Sequence, residues 1–355
     1  NEVKAITLTT IFEASALNRD EKIGGNIPSI KKLTRFGNKT FSYLSKVAIR
    51  HYLFETLNRL YGDDWKPADC IESGGRDQRV VQFDITKQNI FSHAELDAFG
   101  YMFTISGQQG INRKGCVGIT KAVALEPWEG DMQFNANHDL ARRCDATQNP
   151  VNKEEHMSYF KITFTIDVER LGRDEWLIEE HKYDNNSLTL IFNKRGEPLH
   201  EAFINNVTKI ADNNFEVRVG DYRHKIEIAN FGRGEKKKVL FVLDERLKAK
   251  RICQILNAIK NGLIYHSSGE SWGIVPHFII AGALKLPVPV FHSFVELDYI
   301  DTSVLENEYI IQSHGKKMIY IFRSEKFKRE NRLNNLPEDT FYTKWENFLQ
   351  VLGLF

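Results

Sequence analysis

Residues 160–168, Phe-Lys-Ile-Thr-Phe-Thr-Ile-Asp-Val, alternate apolar and polar side chains without a fault. A period of two belongs to a strand, so Phe160, Ile162, Phe164, Ile166 and Val168 share one face and Lys161, Thr163, Thr165 and Asp167 the other. A chain carrying such a segment is built around a sheet. Residues 3–12 read the same way, with Ile6, Leu8 and Phe12 opposite Thr7 and Thr9. Shorter strand candidates lie at 79–85, 99–106, 116–125, 188–192, 225–231, 239–243, 275–281, 290–297 and 317–322.

Two stretches switch to a helical period. Over 40–61, Leu44, Val47, Ala48 and Tyr52 fall on one face and Gly62 ends the run. Ser42, Lys46 and Arg50 then share another face. Over 245–262 the stripe is Ile252, Ile255, Leu256 and Ile259, and a terminal amphipathic helix is expected from Thr340. Residues 13–37 read as a polar loop, and residues 128–158 as a long polar excursion without a period. The order β-α-insert-β-β-insert-α-β predicts an α+β fold, a split βαβ or RRM-like (ferredoxin-like) palm with long insertions. The expected organisation is one elaborated domain over 1–355. Its inserts fall near 62–98 (finger-like), 127–159 (thumb-like) and 183–238.

The 355 residues carry 48 Lys and Arg against 47 Asp and Glu, a net charge of +1. A uniformly basic coat is therefore excluded, and any polyanion site must come from local segregation. Segregation is present. From Ile23 to Phe54 there is no acidic residue, while Lys31, Lys32, Arg35, Lys39, Lys46 and Arg50 all occur. Solvated faces usually mix signs, so this block reads as a phosphate track, against the plainer reading of a solvated helix face. A second acid-free window, 98–125, holds Arg113, Lys114 and Lys121 beside the loop GQQGINRKG. That loop is either an ordinary hairpin connection or a place where glycines let backbone approach a ligand. The segment HSSGESWG at 266–273 lacks the layout of a phosphate loop. It is either a turn or a backbone cradle, with Ser268 in it and Trp272 available for base stacking.

Catalytic and metal signatures are missing from the sequence. The spacing of His138, Cys144 and His156 matches no zinc motif, and Asn137-His138-Asp139 stands alone. No G-x-S-x-G, dinucleotide fingerprint or H-E-x-x-H occurs. The expectation is a binding protein without cofactor or metal. Cys70, Cys116, Cys144 and Cys253 are scattered, which suits a reducing compartment. Apolar runs fall short of the roughly 20 residues of a membrane span, and no basic region followed by an apolar one opens the chain. A soluble, cytoplasmic protein is expected.

Several segments together resemble a known family. ITLTTIFEASALNRDE, GGNIPSIKKLTR, FSYLSKVAIRHYL, VGITKAVALEPWEGD and RICQILNAIKNG occur in the order seen in the repeating backbone subunit of type I CRISPR Cascade complexes. The branch it resembles is the DevR-like, type I-B one of the RAMP superfamily. The resemblance implies a palm with fingers and a thumb, stacked head to tail along a CRISPR guide RNA. Implied partners are that guide, the target DNA strand through it, copies of the chain and other Cascade subunits. Asn18, Arg19, Lys31, Lys32 and Arg35 would line the guide groove, with Lys39, Lys46 and Arg50 beside them. Residues 128–158 would form the thumb, with Phe134 or Met157 beside a displaced base. Residues 107–114, including Arg113 and Lys114, and 266–273 would be further backbone-contacting loops. Some related subunits cut RNA with an aspartate in the first loop, which makes an RNA endonuclease the alternative. Here 26–31 reads Asn-Ile-Pro-Ser-Ile-Lys, although Asp20 and Glu21 lie nearby. The loop after the second helix carries no arginine, a departure from the family pattern.

Overall fold

The computed structural model describes residues 3–22, 27–73, 80–105, 110–193, 200–232, 234–267, 269–337 and 340–354. It is an α+β protein, rich in strands, centred on an eight-stranded sheet. The strand Ala5–Ser15 lies between Met157–Asp167 on one side and Pro276–Leu284 on the other, both antiparallel to it. Ile319–Arg323 continues the sheet beyond Pro276–Leu284. Beyond Met157–Asp167 come Ala122–Ala124, Lys39–Leu44 and Lys32–Arg35, and Val117–Ile119 also pairs with Met157–Asp167.

The alternation expected at 160–168 is what sorts the two faces. Ile6, Leu8, Phe12, Phe160, Ile162, Phe164 and Ile166 pack in one core with Ile49, Leu53 and Leu57 of the first helix. Ile252, Ile255, Leu256 and Ile259 of Glu245–Asn261 complete it, so the second helix is as expected. The opposite face is buried as well, beneath residues 285–337, where Phe278 and Ile280 meet Phe291, Val295 and Phe327. Its polar members are satisfied in pairs: Thr7 Oγ1 lies 3.0 Å from Thr165 Oγ1 and Thr9 Oγ1 2.7 Å from Thr163 Oγ1. Lys161 Nζ donates to Val295 O at 2.6 Å.

A second core lies away from this sheet. Strands between Arg173 and Val242 form five- and three-stranded sheets around Trp176, Leu190, Phe215 and Phe241. Ile85, Ile90, Phe91 and Leu96 pack into the same cluster, so parts of the first and third inserts share one interior.

Several expectations need correction. The first helix is Lys46–Tyr61, with Ser45 as its cap accepting from Ala48 N at 3.2 Å. Residues 39–44 are a strand, because Thr40-Phe41-Ser42-Tyr43-Leu44 satisfies a period of two better than one of 3.6. Ser42 therefore shares no helix face with Lys46 and Arg50. The buried helix residues are Ile49, Leu53, Thr56 and Leu57, and Val47 is 74% exposed. The expected loop 13–37 contains strands Arg19–Lys22, Pro28–Ile30 and Lys32–Arg35. The segments 99–106 and 116–125 do not pair with each other; Gly100–Phe103 pairs with Ile111–Lys114. HSSGESWG is part of a hairpin, Leu263–Ser267 with Glu270–Ile274, in which Tyr265 faces Trp272. Residues 290–297 hold a short 3-10 turn at His292–Phe294 instead of a strand, just after Pro287 and Pro289. The last helix starts later than expected, at Trp345.

Candidate nucleic-acid interface

The polar excursion 128–158 is an ordered hairpin. Met132–Ala136 pairs with Pro150–Glu154, and a short helix, His138–Arg143, sits at its tip. Its root is fixed by bonds to Trp128, Glu154, Glu155 and His156. Glu154 Oε1 takes Lys32 Nζ at 2.6 Å and Oε2 takes the Ile30 amide at 2.9 Å. Arg19 donates to Glu154 O and lies 3.4 Å from Glu155 Oε1. The Trp128 indole donates to Glu155 O at 3.0 Å, and its ring lies under Lys32 Nζ at 3.9 Å. His156 accepts or donates at 2.7 Å to Ser42 Oγ, while its backbone O takes the Ala16 amide. Burial lowers the pKa of His156, which favours the neutral ring in that contact.

Above that root the hairpin exposes apolar side chains. Met132, Phe134 and Leu140 are 49%, 62% and 57% exposed, whereas Met157, expected with them, opens the central strand Met157–Asp167 opposite Ser15. Phe134 stands opposite Asn152 and Met132 opposite Glu154, so both lie on one face of the ribbon. Three large apolar groups left in water on one projection mark a contact surface, because isolated ones are ordinary but a run is not.

The basic block divides into two sets. Arg19 and Lys32 are spent on the hairpin root, and Lys31 pairs with Asp20 at 3.2 Å. Asn18 Oδ1 takes the Ser45 amide at 2.7 Å and so ties this region to the helix cap. Arg35, Lys39 and Lys46 are exposed and form no ion pair with a described residue; Arg35 only stacks on Phe36, at 4.4 Å. Arg50 lies 3.8 Å from Glu95 and over the Phe99 ring. Lys46 opens a helix whose first turn holds no acid, which leaves that positive helix end uncompensated.

Arg113 is corrected outright. It is 7% exposed and donates to Asp97 Oδ1 at 2.6 Å, with Asp174 Oδ1 3.7 Å away. Arg251 reaches the other Asp97 oxygen at 2.8 Å. This guanidinium joins the two cores and offers nothing to a ligand. Lys114, next in sequence, points to solvent because the strand alternates. Trp272 is half-buried against the main core, with its indole on Glu270 at 2.9 Å. Ser268 and residues 107–109 lie outside the described residues. Sequence reading missed Trp128, Glu154 and Glu155. Their one signal was an acid pair placed directly before the strongest strand, able to answer the acid-free block from a distance.

The family model described as "CRISPR-associated negative auto-regulator DevR/Csa2" matches residues 6–304. The chain belongs to the DevR/Csa2 family. Comparison with curated protein sequences gives no match. Among solved structures, a chain of a "CRISPR RNA-guided surveillance complex, pre-nicking" is similar at 9% identity and a TM-score of 0.52, with 99% of this chain and 100% of that one covered. A chain of a "CRISPR RNA-guided surveillance complex" gives 9% identity and a TM-score of 0.46, with 98% of each covered. The first of these likenesses concerns the fold. In this DevR/Csa2 protein, the match runs from the first strand to beyond the Pro276–Leu284 strand, so it takes in the rooted hairpin and the eight-stranded sheet up to, but not including, Ile319–Arg323. Among the described residues, no three His, Cys, Asp or Glu side chains are grouped to hold a metal, and no helix is long and apolar enough to cross a membrane.

Proposed function

We propose that this chain is the guide-RNA-binding backbone subunit of a type I Cascade effector, of the type I-B branch. Copies of it stack as a helical filament in the cytoplasm and present the guide to a target DNA strand beside other Cascade subunits. The observation that carries the reading is the rooted hairpin. A ribbon projecting from the sheet exposes Met132, Phe134 and Leu140, while Arg35 and Lys39, with no ion pair to a described residue, lie on the strands bonded to its root and Lys46 opens the helix that follows. Phosphates need cations without a sequence code, and an apolar projection needs a partner surface. Arg19, Lys31 and Lys32 hold the frame, and Arg35, Lys39 and Lys46 meet the guide.

Topology supports an RRM-like palm. In chain order the central elements are strand, helix, edge strands, strand, helix, strand. In space the last of these strands lies beside the first, then the third, then the second. The role is binding without cleavage, a reading supported by the engagement of Asp20 with Lys31. Protein purified from cells making a guide array should carry RNA of uniform length and leave labelled RNA and DNA intact with magnesium. Protein free of nucleic acid, or chelator-sensitive fragments lost in Asp20→Ala, would contradict the reading.

A further inference from the structure

The second acid-free window leaves a cavity that the reading above does not use. Val117–Ile119 pairs with Met157–Asp167 on one side only, away from the main strand path. Between this edge and the segment at Pro287 and Pro289 lies a cavity of about 270 Å³. Thr120, Thr163 and Thr165 line it, with Lys114 and Arg170 at its polar side. It is close to the lower end of small-ligand sites, roughly 300–1,000 Å³.

Its chemistry is donor-rich. Thr120 Oγ1 accepts from the Thr163 amide at 2.9 Å, so the hydroxyl keeps its own proton to donate. Thr163 Oγ1 is already engaged by Thr9 and by His292 Nδ1, at 2.7 and 2.8 Å. Burial, with Lys161 and Arg35 nearby, holds the His292 pKa down at about 4 and the ring neutral. Lys114 is exposed and forms no ion pair with a described residue. Arg170 has only a loose partner, Asp167 Oδ2 at 3.7 Å from its Nε. Two cations and a hydroxyl donor face one carboxylate, and two prolines supply a flat apolar wall. Nearby, Lys121 lies over the Tyr43 ring at 4.9 Å, continuing the cationic side along the sheet edge toward Lys39–Leu44.

We propose that this cavity binds one nucleotide unit of a single-stranded nucleic acid, its phosphate on Lys114 and Arg170 and its base against Pro287 and Pro289. The proposal rests on the nucleic-acid reading above but concerns a separate contact. None of Arg35, Lys39 and Lys46, the cations assigned to the guide, is among the residues that line the cavity.

The test titrates fluorescein-labelled rU20 and dT20 against the full chain over a range of salt, for wild type, K114A/R170A and R35A/K39A/K46A. Crosslinking of 4-thiouridine-substituted rU20 then maps the contacts. K114A/R170A should lower the log–log salt slope by about 0.7, the single-strand value for one lost phosphate contact. Adducts should fall within residues 114–120 or 287–289. The rU20 and dT20 arms tell whether guide or DNA is held. A normal slope for K114A/R170A with no adduct in either segment overturns this proposal, even while R35A/K39A/K46A lowers the slope and the function stands. Saturable binding of AMP lost in K114A/R170A, with strand binding unchanged, also overturns it. If wild type binds neither strand, the proposed function itself fails.

Discussion

Lys32 Nζ lies 2.6 Å from the carboxylate of Glu154, 122 residues further along the chain, and both side chains are largely buried. One cation of a block with no acid of its own is thus neutralised from the base of a distant hairpin. Glu154→Ala should cost about 2–4 kcal/mol, since it strands the Lys32 ammonium and the Ile30 amide. Denaturant unfolding measures the loss, and limited proteolysis should show faster cutting within 131–155. An unchanged midpoint would mean the root is held by other bonds.

Phosphate contact is expected of Arg35, Lys39 and Lys46, which form no ion pair with a described residue. R35A/K39A/K46A should reduce the salt slope of RNA binding by about 2, with different sequences weakened alike. Lys32→Ala should act mainly on stability. Filter binding across a salt series separates the two, and equal slopes for all variants would reject the division.

Arg113 makes the opposite case. Removing it leaves buried Asp97 with Arg251 as its one remaining guanidinium and takes the cation away from buried Asp174, and Arg113→Ala should cost about 3–5 kcal/mol. Where the variant still folds, its RNA salt slope should match wild type. A reduced slope at unaltered stability would return Arg113 to the binding surface.

Acid should destabilise the protein. Burial, with Lys66 and Arg251 or Lys161 and Arg35 nearby, holds His93, His224 and His292 at about 4. Between that value and the ordinary 6.5, the unfolded chain binds protons that the folded chain refuses, so stability falls as pH drops through this window. Asp174 works the other way: burial raises it to about 6, and the folded state gains from its protonation. Three imidazoles against one carboxyl leave a net loss of stability from pH 7 to pH 4. Thermal melts across that range check the sign, and a rising midpoint on acidification would refute it.

What was legible in the sequence was whatever a local period could carry. The strand 160–168 and the helix at 245–261 stand where their alternation and stripe put them, because each buries a face that only one geometry satisfies. The stretch 40–44 misled because five residues fit a strand or a helix start, and only pairing with Lys32–Arg35 and Ala122–Ala124 decides between them. The basic candidates were visible as a composition. Their division was not, since whether Lys32 is spent or available depends on Glu154, and ion pairs across 122 residues leave no local pattern. Arg113 and Lys114 look alike in sequence and differ by a single step of a strand, one inward and one outward.

The central claim is that the hairpin lets copies stack along RNA. Its deletion must spare the root, so Gln133–Lys153 is replaced by a short Gly-Ser linker and Glu154, Glu155 and His156 stay. Light scattering is run on wild type and the deletion variant with a ladder of single-stranded RNAs of increasing length. The account predicts that bound mass for wild type rises in equal steps, one subunit per fixed increment of RNA. The variant should remain folded and bind RNA without regular steps. One copy of wild type at every RNA length, or equal steps that persist without the hairpin, would contradict it.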